Sequence, residues 1–385
     1  MPPKRRGRPP KTQHQSKKPK TKEDRSKSGA SSSEDLKACP ELFTVPPLQP
    51  KGKKKPGQLT AEQLRQYYTE GFLVLPSFFK SSELDPALEA IDKEVDLIAE
   101  RLYKAGKIKD KCENADIFHR FIELEKEFPA ASLLMHKTGR FPEAFQKLWT
   151  NSRLLNMMEQ LIGPEIAGNP VWNIRPKTPF NEQATVPWHQ DNAYHDETSQ
   201  ELFVPTVWIP MVDVDKNNGC LQFLRGGHRT GVLATHTCCA GGTWYVEASD
   251  EEMEKSLGVD MDNDLVTCEM LKGGLVLFNN LVPHRSLENY SDKIRWSFDF
   301  RYQTPDKPPA FHGLKDHILF RSKKNPKHKI RWEEFNNVNR NAVSSINPKA
   351  ALEAEKADEF DTTLSGPWMY RWELTHHNRH TTHWE

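Results

Sequence analysis

The chain has 385 residues and six cysteines, and its net charge is +1 at pH 7. This length suits one large domain with extensions or two ordinary domains. It contains no run of about 18 apolar residues, so we expect no membrane span. It also has no Cys-x-x-Cys pair and no apolar leader after Met1, so we predict a reduced, intracellular protein.

Charge is distributed unevenly along the chain. Residues 1–57 carry 16 Lys and Arg against 5 Asp and Glu, whereas the remainder has a net negative charge. The net charge of +1 therefore arises because the charges of the two parts nearly cancel. The first part of this segment has almost no large apolar side chain, which predicts a disordered basic tail. A basic tail on an acidic body favours an anionic partner.

Within this tail, Arg6-Gly7-Arg8-Pro9 resembles an AT-hook, a short motif of chromatin proteins that lies in the minor groove of A·T-rich DNA. Pro9 favours an extended backbone, and Gly7 adds no side chain near the groove floor. Arg6 and Arg8 suit the negative potential of a narrow groove. The alternatives are a nuclear-import signal and a basic leader without specific function. We therefore predict A·T-rich DNA as a partner and a nuclear rather than a cytoplasmic location.

Helices are predicted to dominate the first third of the ordered chain. Thr60 and Gln63 form a capping box, and Gly71 ends the helix that follows. Further apolar residues recur at spacings of three and four, as on one face of a helix. The predicted helices begin at Thr60, at Ser82 and at about Pro142, the last continuing to Leu161, and Phe72–Leu75 is predicted to be a short buried strand.

After Gly168 the apolar spacing becomes that of strands. Short β-branched and aromatic runs, such as VWNIRP, GGLVLFNNLV and KIRWSFDFRYQ, are separated by Gly, Pro, Asn and Asp. Helices followed by strands predict an α+β protein with a jelly-roll core of the double-stranded β-helix (cupin-like) type and N-terminal helices packed on one face. The predicted domains are the basic tail (1–57), the jelly-roll domain (58–320) and a C-terminal extension (321–385).

The stretch VPWHQD contains two candidate metal ligands two residues apart. On a strand, residues i and i+2 project from the same face, so His189 and Asp191 would offer an imidazole and a carboxylate to one point while Gln190 points away. His284 is the candidate for the third ligand of a 2-His-1-carboxylate triad, which is typical of non-haem Fe(II) oxygenases. Taken singly, a structural histidine and a turn-capping aspartate are the alternatives.

Four segments resemble, in the same order, the phytanoyl-CoA dioxygenase family of Fe(II)- and 2-oxoglutarate-dependent oxygenases. They are LTAEQLRQYYTEGFLVLPSFF, PWHQDNAY, WIPMVDVDKNNGCLQFLRGGHRTG and GGLVLFNNLVPHRSLENYSDKIRWSFDFRYQ. The resemblance implies Fe(II), 2-oxoglutarate and O₂ as cofactor and co-substrates. It assigns iron binding to His189, Asp191 and His284, binding of the far carboxylate of 2-oxoglutarate to Arg295 with help from Ser286, and a place near the iron to Trp208.

Elementary chemistry agrees with this assignment. 2-Oxoglutarate can chelate iron through its 1-carboxylate and keto oxygen, and a buried arginine suits its distal carboxylate because the guanidinium stays charged and binds in a fork. The implied activity is hydroxylation of an unactivated C–H bond with release of succinate and CO₂. The substrate is not identified, because a fold and a triad do not name one. The alternative is a chromatin- or DNA-associated binding protein with an inactive dioxygenase fold.

Other polar residues receive weaker predictions. His195 and Asp196 are expected to lie on a loop over the site, and His228 is expected in a turn. At the C-terminus, GPWMYRW is expected to dock on the body, after a short helix at Ala350–Ala357. The histidines at the chain end could bind a metal adventitiously, but their position favours a disordered tail; they are His376, His377, His380 and His383.

Overall fold

A computed structural model describes residues 39–49, 52–357 and 360–382 of the chain. The AT-hook-like motif from Arg6 to Pro9 lies outside these residues, as does His383. None of the described helices has both the length and the apolar character needed to cross a bilayer.

Ten α-helices and thirteen strands form the described part of the chain. The helices are α1 (Pro40–Thr44), α2 (Ala61–Glu70), α3 (Ser81–Lys104), α4 (Arg120–Glu127), α5 (Glu143–Trp149), α6 (Ser152–Ile162), α7 (Asp250–Leu257), α8 (Trp332–Asn336), α9 (Arg340–Ser344) and α10 (Pro348–Lys356). The strands are β1 (Phe72–Leu75), β2 (Ile166–Gly168), β3 (Asn173–Lys177), β4 (Thr206–Pro210), β5 (Leu221–Leu224), β6 (Thr237–Cys238), β7 (Val246–Glu247), β8 (Leu265–Cys268), β9 (Leu275–Phe278), β10 (His284–Ser286), β11 (Arg295–Gln303), β12 (Ile318–Arg321) and β13 (Glu373–Leu374).

The start and end of α2 follow the predicted local chemistry. Gln63 N donates to Thr60 Oγ1 at 3.1 Å, and Thr60 N donates to Gln63 Oε1 at 2.8 Å, so the capping box is confirmed. Gly71 ends the helix with a φ of 89°, a left-handed conformation that costs glycine little. β1 begins at the next residue, as predicted.

One predicted helix is two helices in the structure. The segment from about Pro142 to Leu161 is interrupted between α5 and α6, where Asn151 accepts a hydrogen bond from Arg153 N at 3.0 Å through its side-chain oxygen. Asparagine favours helix N-caps because its short side chain competes for backbone donors. The apolar spacing continues across the break, so the sequence pattern predicted one helix instead of two.

Two antiparallel sheets form a cupin-like jelly roll, as predicted. The larger sheet has seven strands in the order β1-β9-β4-β11-β2-β12, with β3 also paired to β11. The smaller one has the order β10-β5-β8. A third sheet, β13-β6-β7, includes one parallel pair, between β13 and β6.

The long central strand β11 has two chemically different faces. Alternate residues project to opposite sides of a strand, so Arg295, Ser297 and Asp299 share one face and the aromatic residues share the other. The aromatic residues pack against rings from the preceding helices, with centroid separations of 5.9 Å for Trp296 and Phe121, 4.9 Å for Phe298 and Phe145, and 5.4 Å for Trp149 and Phe300.

The C-terminal histidines differ from the prediction of a disordered tail. His376 and His377 are exposed, but His380 is buried beside the ring of Trp244, and its Nδ1 accepts a hydrogen bond from Leu364 N at 2.9 Å. Asn378 Nδ2 donates to two carbonyl oxygens of the body, at 3.1 and 2.9 Å, which explains why this segment docks.

The cysteines also differ from the prediction at one place. Cys238 and Cys239 are joined by a disulfide between adjacent residues. The sequence did not predict this bond, because cysteine pairs are expected across a loop or a metal-binding turn.

Candidate active site

The backbone brings the two candidate histidine ligands together. His189 and His284 form an isolated antiparallel bridge in which each N–H donates to the other's carbonyl oxygen at 3.0 Å. Nε2 of His189 lies 3.6 Å from Asp191 Oδ1, and Nε2 of His284 lies 3.9 Å from the same oxygen. The three side chains are buried and can meet around one metal ion.

The local structure around Asp191 is not the regular strand that the sequence predicted. Only the single bridge at His189 pairs with β10, and Asp191 opens a 3₁₀ helix over Asp191–Tyr194. Pro187 has no N–H to continue a ladder, which favours a short pairing. The side chains of His189 and Asp191 nevertheless converge, and Gln190 points away, donating to Leu281 O at 2.7 Å.

Backbone carbonyl groups orient both imidazoles. Nδ1 of His189 donates to Pro187 O at 2.9 Å, and Nδ1 of His284 donates to Val282 O at 3.1 Å. These bonds leave Nε2 of each ring available to a metal. Burial, together with His189, lowers the pKa of His284 to about 3, so this ring is neutral, as a metal ligand requires.

Arg301 holds the carboxylate ligand. Its Nε and Nη2 donate to Asp191 Oδ2 at 3.0 and 2.8 Å, which leaves Oδ1 facing the histidines. Burial raises the pKa of Asp191, but Arg301 and the histidines outweigh burial and hold that pKa well below its usual value. Two imidazole nitrogens and one ionised carboxylate fit Fe(II) and leave coordination positions open. The sequence prediction missed Arg301, although it follows Asp299 by two residues on the polar face of β11.

The predicted co-substrate residues line the same small cavity as the histidines. This cavity, of about 30 Å³, is bounded by His189, His284, Trp208, Ser286 and Arg295. Ser286 Oγ accepts from Val186 N at 3.0 Å, which leaves its own proton free to donate to a bound group. The structure thus brings together residues that are far apart in the sequence.

Arg295 is a buried cation without an acidic partner among the described residues. It is 2% exposed, and its Nη1 and Nη2 donate to Ser297 Oγ at 2.6 Å and Gly219 O at 3.2 Å. Its Nε has no partner, and no acidic side chain among the described residues lies within salt-bridge distance. Burial lowers the pKa of Arg295 to about 10, so the guanidinium stays charged at neutral pH. Such a group fits the distal carboxylate of 2-oxoglutarate.

A second buried basic side chain, that of Lys177, was not predicted. It stands opposite Arg295 in the register of β3 and β11, is 2% exposed, and donates to Thr185 Oγ1 at 3.3 Å. Burial, and then the charge of Arg295, lowers its pKa well below the usual value. A lysine near the end of a strand is usually exposed, so nothing in the sequence singles out Lys177.

A larger cavity of about 730 Å³ borders the metal site at Asp191. Asp191 and Arg301 lie in its wall, and its volume falls in the range of small-molecule sites. Several residues of the remaining wall are aromatic, including Tyr194, Trp244, Phe311 and Trp368.

His195 lies in the wall of this cavity, where the sequence favoured plain loop polarity. It is 1% exposed, its Nδ1 has no hydrogen-bond partner among the described residues, and burial lowers its pKa to about 4. Asp196 instead accepts from Thr198 N at 3.0 Å as a helix cap. His228 is buried in a turn, with Nε2 donating to Tyr68 O at 3.1 Å, and does not border either cavity.

The comparison with family models agrees with this geometry. The model described as phytanoyl-CoA dioxygenase (PhyH) matches residues 67–297, which include all three triad residues and Arg295. The chain belongs to the phytanoyl-CoA dioxygenase family. Family membership and the buried triad make it a 2-oxoglutarate-dependent dioxygenase, with iron as cofactor and 2-oxoglutarate and O₂ as co-substrates.

Individual relatives are distant. A phytanoyl-CoA dioxygenase of Arabidopsis thaliana is 24% identical over 268 residues, covering 65% of this chain and 90% of the relative. A probable alpha-ketoglutarate-dependent hypophosphite dioxygenase of Stutzerimonas stutzeri is 24% identical over 235 residues, covering 60% and 74%. Among solved structures, iron-bound EctD from S. alaskensis is similar with a TM-score of 0.43, at 18% identity, covering 68% of this chain and 84% of that one.

Proposed function

We propose that the protein hydroxylates an unactivated C–H bond of a substrate that enters the larger cavity, while 2-oxoglutarate is converted to succinate and CO₂. The observation that carries this proposal is that the triad residues line two cavities. His189 and His284 border the small cavity that ends at Arg295, and Asp191 borders the large one. A metal at this junction would face the co-substrate on one side and the substrate on the other.

The triad would hold iron through Nε2 of His189, Oδ1 of Asp191 and Nε2 of His284. Iron bound there supplies activation of O₂, coupled to the oxidative decarboxylation of 2-oxoglutarate. The protein's contribution is orientation: Arg301 occupies Asp191 Oδ2 so that the other oxygen faces the metal. The carbonyls of Pro187 and Val282 fix the two rings.

Arg295 would bind the distal carboxylate of 2-oxoglutarate through its guanidinium fork, and Ser286 would donate a hydrogen bond beside it. Trp208 lies against the guanidinium, with 5.2 Å from its ring centroid to Arg295 Cζ, and would pack along the carbon chain of the co-substrate. Lys177, opposite Arg295 in the register of β3 and β11, would place a buried amine beside this arginine. Because all these side chains are buried, they would also exclude water from the co-substrate.

We include in the proposal that the N-terminal helices cover one face of the jelly roll and support the metal site from outside. The ring contacts of β11 with α4 and α5 support this arrangement. β11 carries Arg295 and Arg301 on its other face. The packing of its aromatic residues would therefore fix the position of the strand and, with it, the positions of both arginines in the site.

An inactive fold that only binds DNA or chromatin is less well supported. A binding protein has no need of three converging metal ligands, nor of a buried arginine without an acidic partner, because both carry a desolvation cost that a ligand must offset. The described residues retain both features.

Succinate formation from 2-oxoglutarate in the presence of Fe(II), with and without a panel of candidate substrates, tests the proposal. Asp191→Ala and His189→Ala should abolish Fe(II) binding and succinate formation while the far-ultraviolet circular dichroism stays that of the wild type. Asp262→Ala, at an exposed turn that borders neither cavity, is the matched control and should behave as the wild type. Activity retained in either triad variant would contradict the assignment.

A further inference from the structure

The loop that carries Asp191 is bonded to a part of the chain outside the family match. The match ends at residue 297, but residues 360–382, called here the C-terminal segment, lie against the 3₁₀ helix Asp191–Tyr194 and supply part of the wall of the larger cavity. The contacts between them include specific hydrogen bonds as well as apolar packing, in which the ring centroids of Tyr194 and Trp368 lie 5.6 Å apart.

The 3₁₀ helix needs donors because it is only four residues long. The carbonyl groups at the end of a helix have no partner within it. Its start is held by the jelly roll: Asn192 N donates to Asn280 O at 3.1 Å, and Asn280 Nδ2 donates to Asn192 Oδ1 at 2.6 Å. Asn192 O accepts from His195 N at 3.1 Å and can take a second donor, while Ala193 O can be bound from the other side.

The C-terminal segment provides those donors. Arg371 Nη1 donates to Asn192 O at 2.9 Å and also to His195 O, and Trp372 Nε1 donates to Ala193 O at 2.8 Å. A positive charge at the C-terminal end of a helix is also electrostatically favourable. Three carbonyls within five residues of a metal ligand are therefore bound by two adjacent side chains.

These donors are themselves held in place. β13 pairs in parallel with β6, with Glu373 opposite Thr237. Before it, Trp368 Nε1 donates to Trp244 O at 3.2 Å. Arg371 and Trp372 lie between these two anchors, so their side chains approach the loop from a fixed backbone.

We propose that Arg371 and Trp372 are positioning residues for the metal centre, which hold the Asp191 loop so that Oδ1 of Asp191 faces the two histidines. The inference rests on the proposed function, since it takes the triad as an iron site. The geometry makes metal affinity depend on the C-terminal segment, because a loop free to move would have to be ordered again each time a metal binds.

Co(II) is a suitable probe because its visible absorption reports both affinity and coordination geometry without turnover. We would titrate the full chain with Co(II) and compare Arg371→Ala, Trp372→Phe and the wild type. Groups that support metal ligands change affinity by about 10- to 100-fold, so we expect a dissociation constant about tenfold higher in Arg371→Ala, with a changed visible band. Trp372→Phe, which loses one donor, should show a smaller increase.

Arg379→Ala is the matched control. Arg379 belongs to the same segment, but it donates to Thr362 Oγ1 at 2.9 Å and Gln183 Oε1 at 2.7 Å and not to the loop. Its Co(II) affinity and spectrum should equal those of the wild type. If Arg379→Ala weakened Co(II) binding as much as Arg371→Ala, the effect would reflect docking of the segment in general, and the proposed positioning role would be wrong.

The remaining outcomes separate this inference from the proposed function. Wild-type affinity and spectrum in both Arg371→Ala and Trp372→Phe would overturn the positioning role and leave the triad intact. A wild-type chain that binds no Co(II) would overturn the triad itself. Should Arg371→Ala fail to fold, Trp372→Phe and Arg371→Lys still decide the question, because both keep the bulk of the side chain.

Discussion

Arg295 illustrates a residue whose surroundings make sense only with a ligand. The guanidinium has been removed from water, yet its partners are a hydroxyl and a carbonyl rather than a carboxylate. An isolated buried charge is costly, and a bound anion would offset that cost. This imbalance makes Arg295 the residue at which co-substrate binding can be separated from metal binding.

Arg295→Ala should leave iron binding unchanged and raise the KM for 2-oxoglutarate. Removing one partner of a buried charge pair costs about 3 to 5 kcal/mol, so the loss of affinity should exceed a hundredfold. Steady-state succinate formation measures KM, and anaerobic Fe(II) titration measures the affinity for iron. Arg295→Lys keeps the charge but loses the two-pronged guanidinium, so its KM for 2-oxoglutarate should lie between those of the wild type and Arg295→Ala. Reduced iron loading with normal 2-oxoglutarate affinity would instead make Arg295 a structural residue.

At the scale of elements, the turn between α2 and β1 lies directly against the segment that carries His284. Gly71 has a positive φ, and Asn279 N donates to its carbonyl oxygen at 3.0 Å. A Cβ at Gly71 would lie 2.5 Å from His228 Nδ1 and 2.9 Å from Val282 Cβ. Val282 supplies the carbonyl that orients His284, so the turn and the metal ligand share one neighbour.

Gly71→Ala should therefore destabilise the fold more than Gly258→Ala. Both glycines have positive φ, at which alanine costs about 1 to 2 kcal/mol, but a Cβ at Gly258 meets nothing within 4 Å. The difference between the two variants isolates the clash with Val282 and His228. Urea unfolding of each variant measures it, and equal losses of unfolding free energy would show that the turn has room to adjust.

The sequence predicted local features of the fold, but it did not predict contacts between residues that are distant in the chain. The capping box of α2 and the two faces of β11 were predicted because both depend on neighbours within a few positions. Arg301, Lys177 and Arg371 were not assigned, because their partners lie far away in sequence and are brought close only by the fold. The resemblance to a family supplied the triad and Arg295, but it says nothing of Arg371, which lies beyond Gln303, where the resembling segments end.

At the scale of the whole molecule, the catalytic body and the basic tail raise separate questions. The tail before residue 39 lies outside the described residues, so its AT-hook-like motif stays a prediction. A tail that reads A·T-rich DNA would place the oxygenase at chromatin and would favour substrates found there. A nuclear-import signal would give the location without the DNA preference.

We predict that the full chain binds an A·T-rich duplex more tightly than a G·C-rich one, because only the former has a narrow minor groove for Arg6 and Arg8. The variant Arg6→Ala/Arg8→Ala should lose this preference but keep some salt-sensitive affinity from the other basic residues. Fluorescence anisotropy at physiological salt measures both. The same affinity for the two duplexes, in wild type and variant alike, would leave only non-specific attraction.

The bridge between His189 and His284 also has a consequence for folding thermodynamics. The two residues are distant in sequence and share a ligand site only in the native state, so a metal ion there acts as a reversible cross-link that closes a long loop. A ligand at 100 times its dissociation constant stabilises the native state by about 2.7 kcal/mol. The unfolding temperature should therefore rise with free Co(II), fall back when a chelator is added, and stay constant in Asp191→Ala. On this basis, the supply of metal in the cell would set the lifetime of the folded chain as well as its catalytic rate.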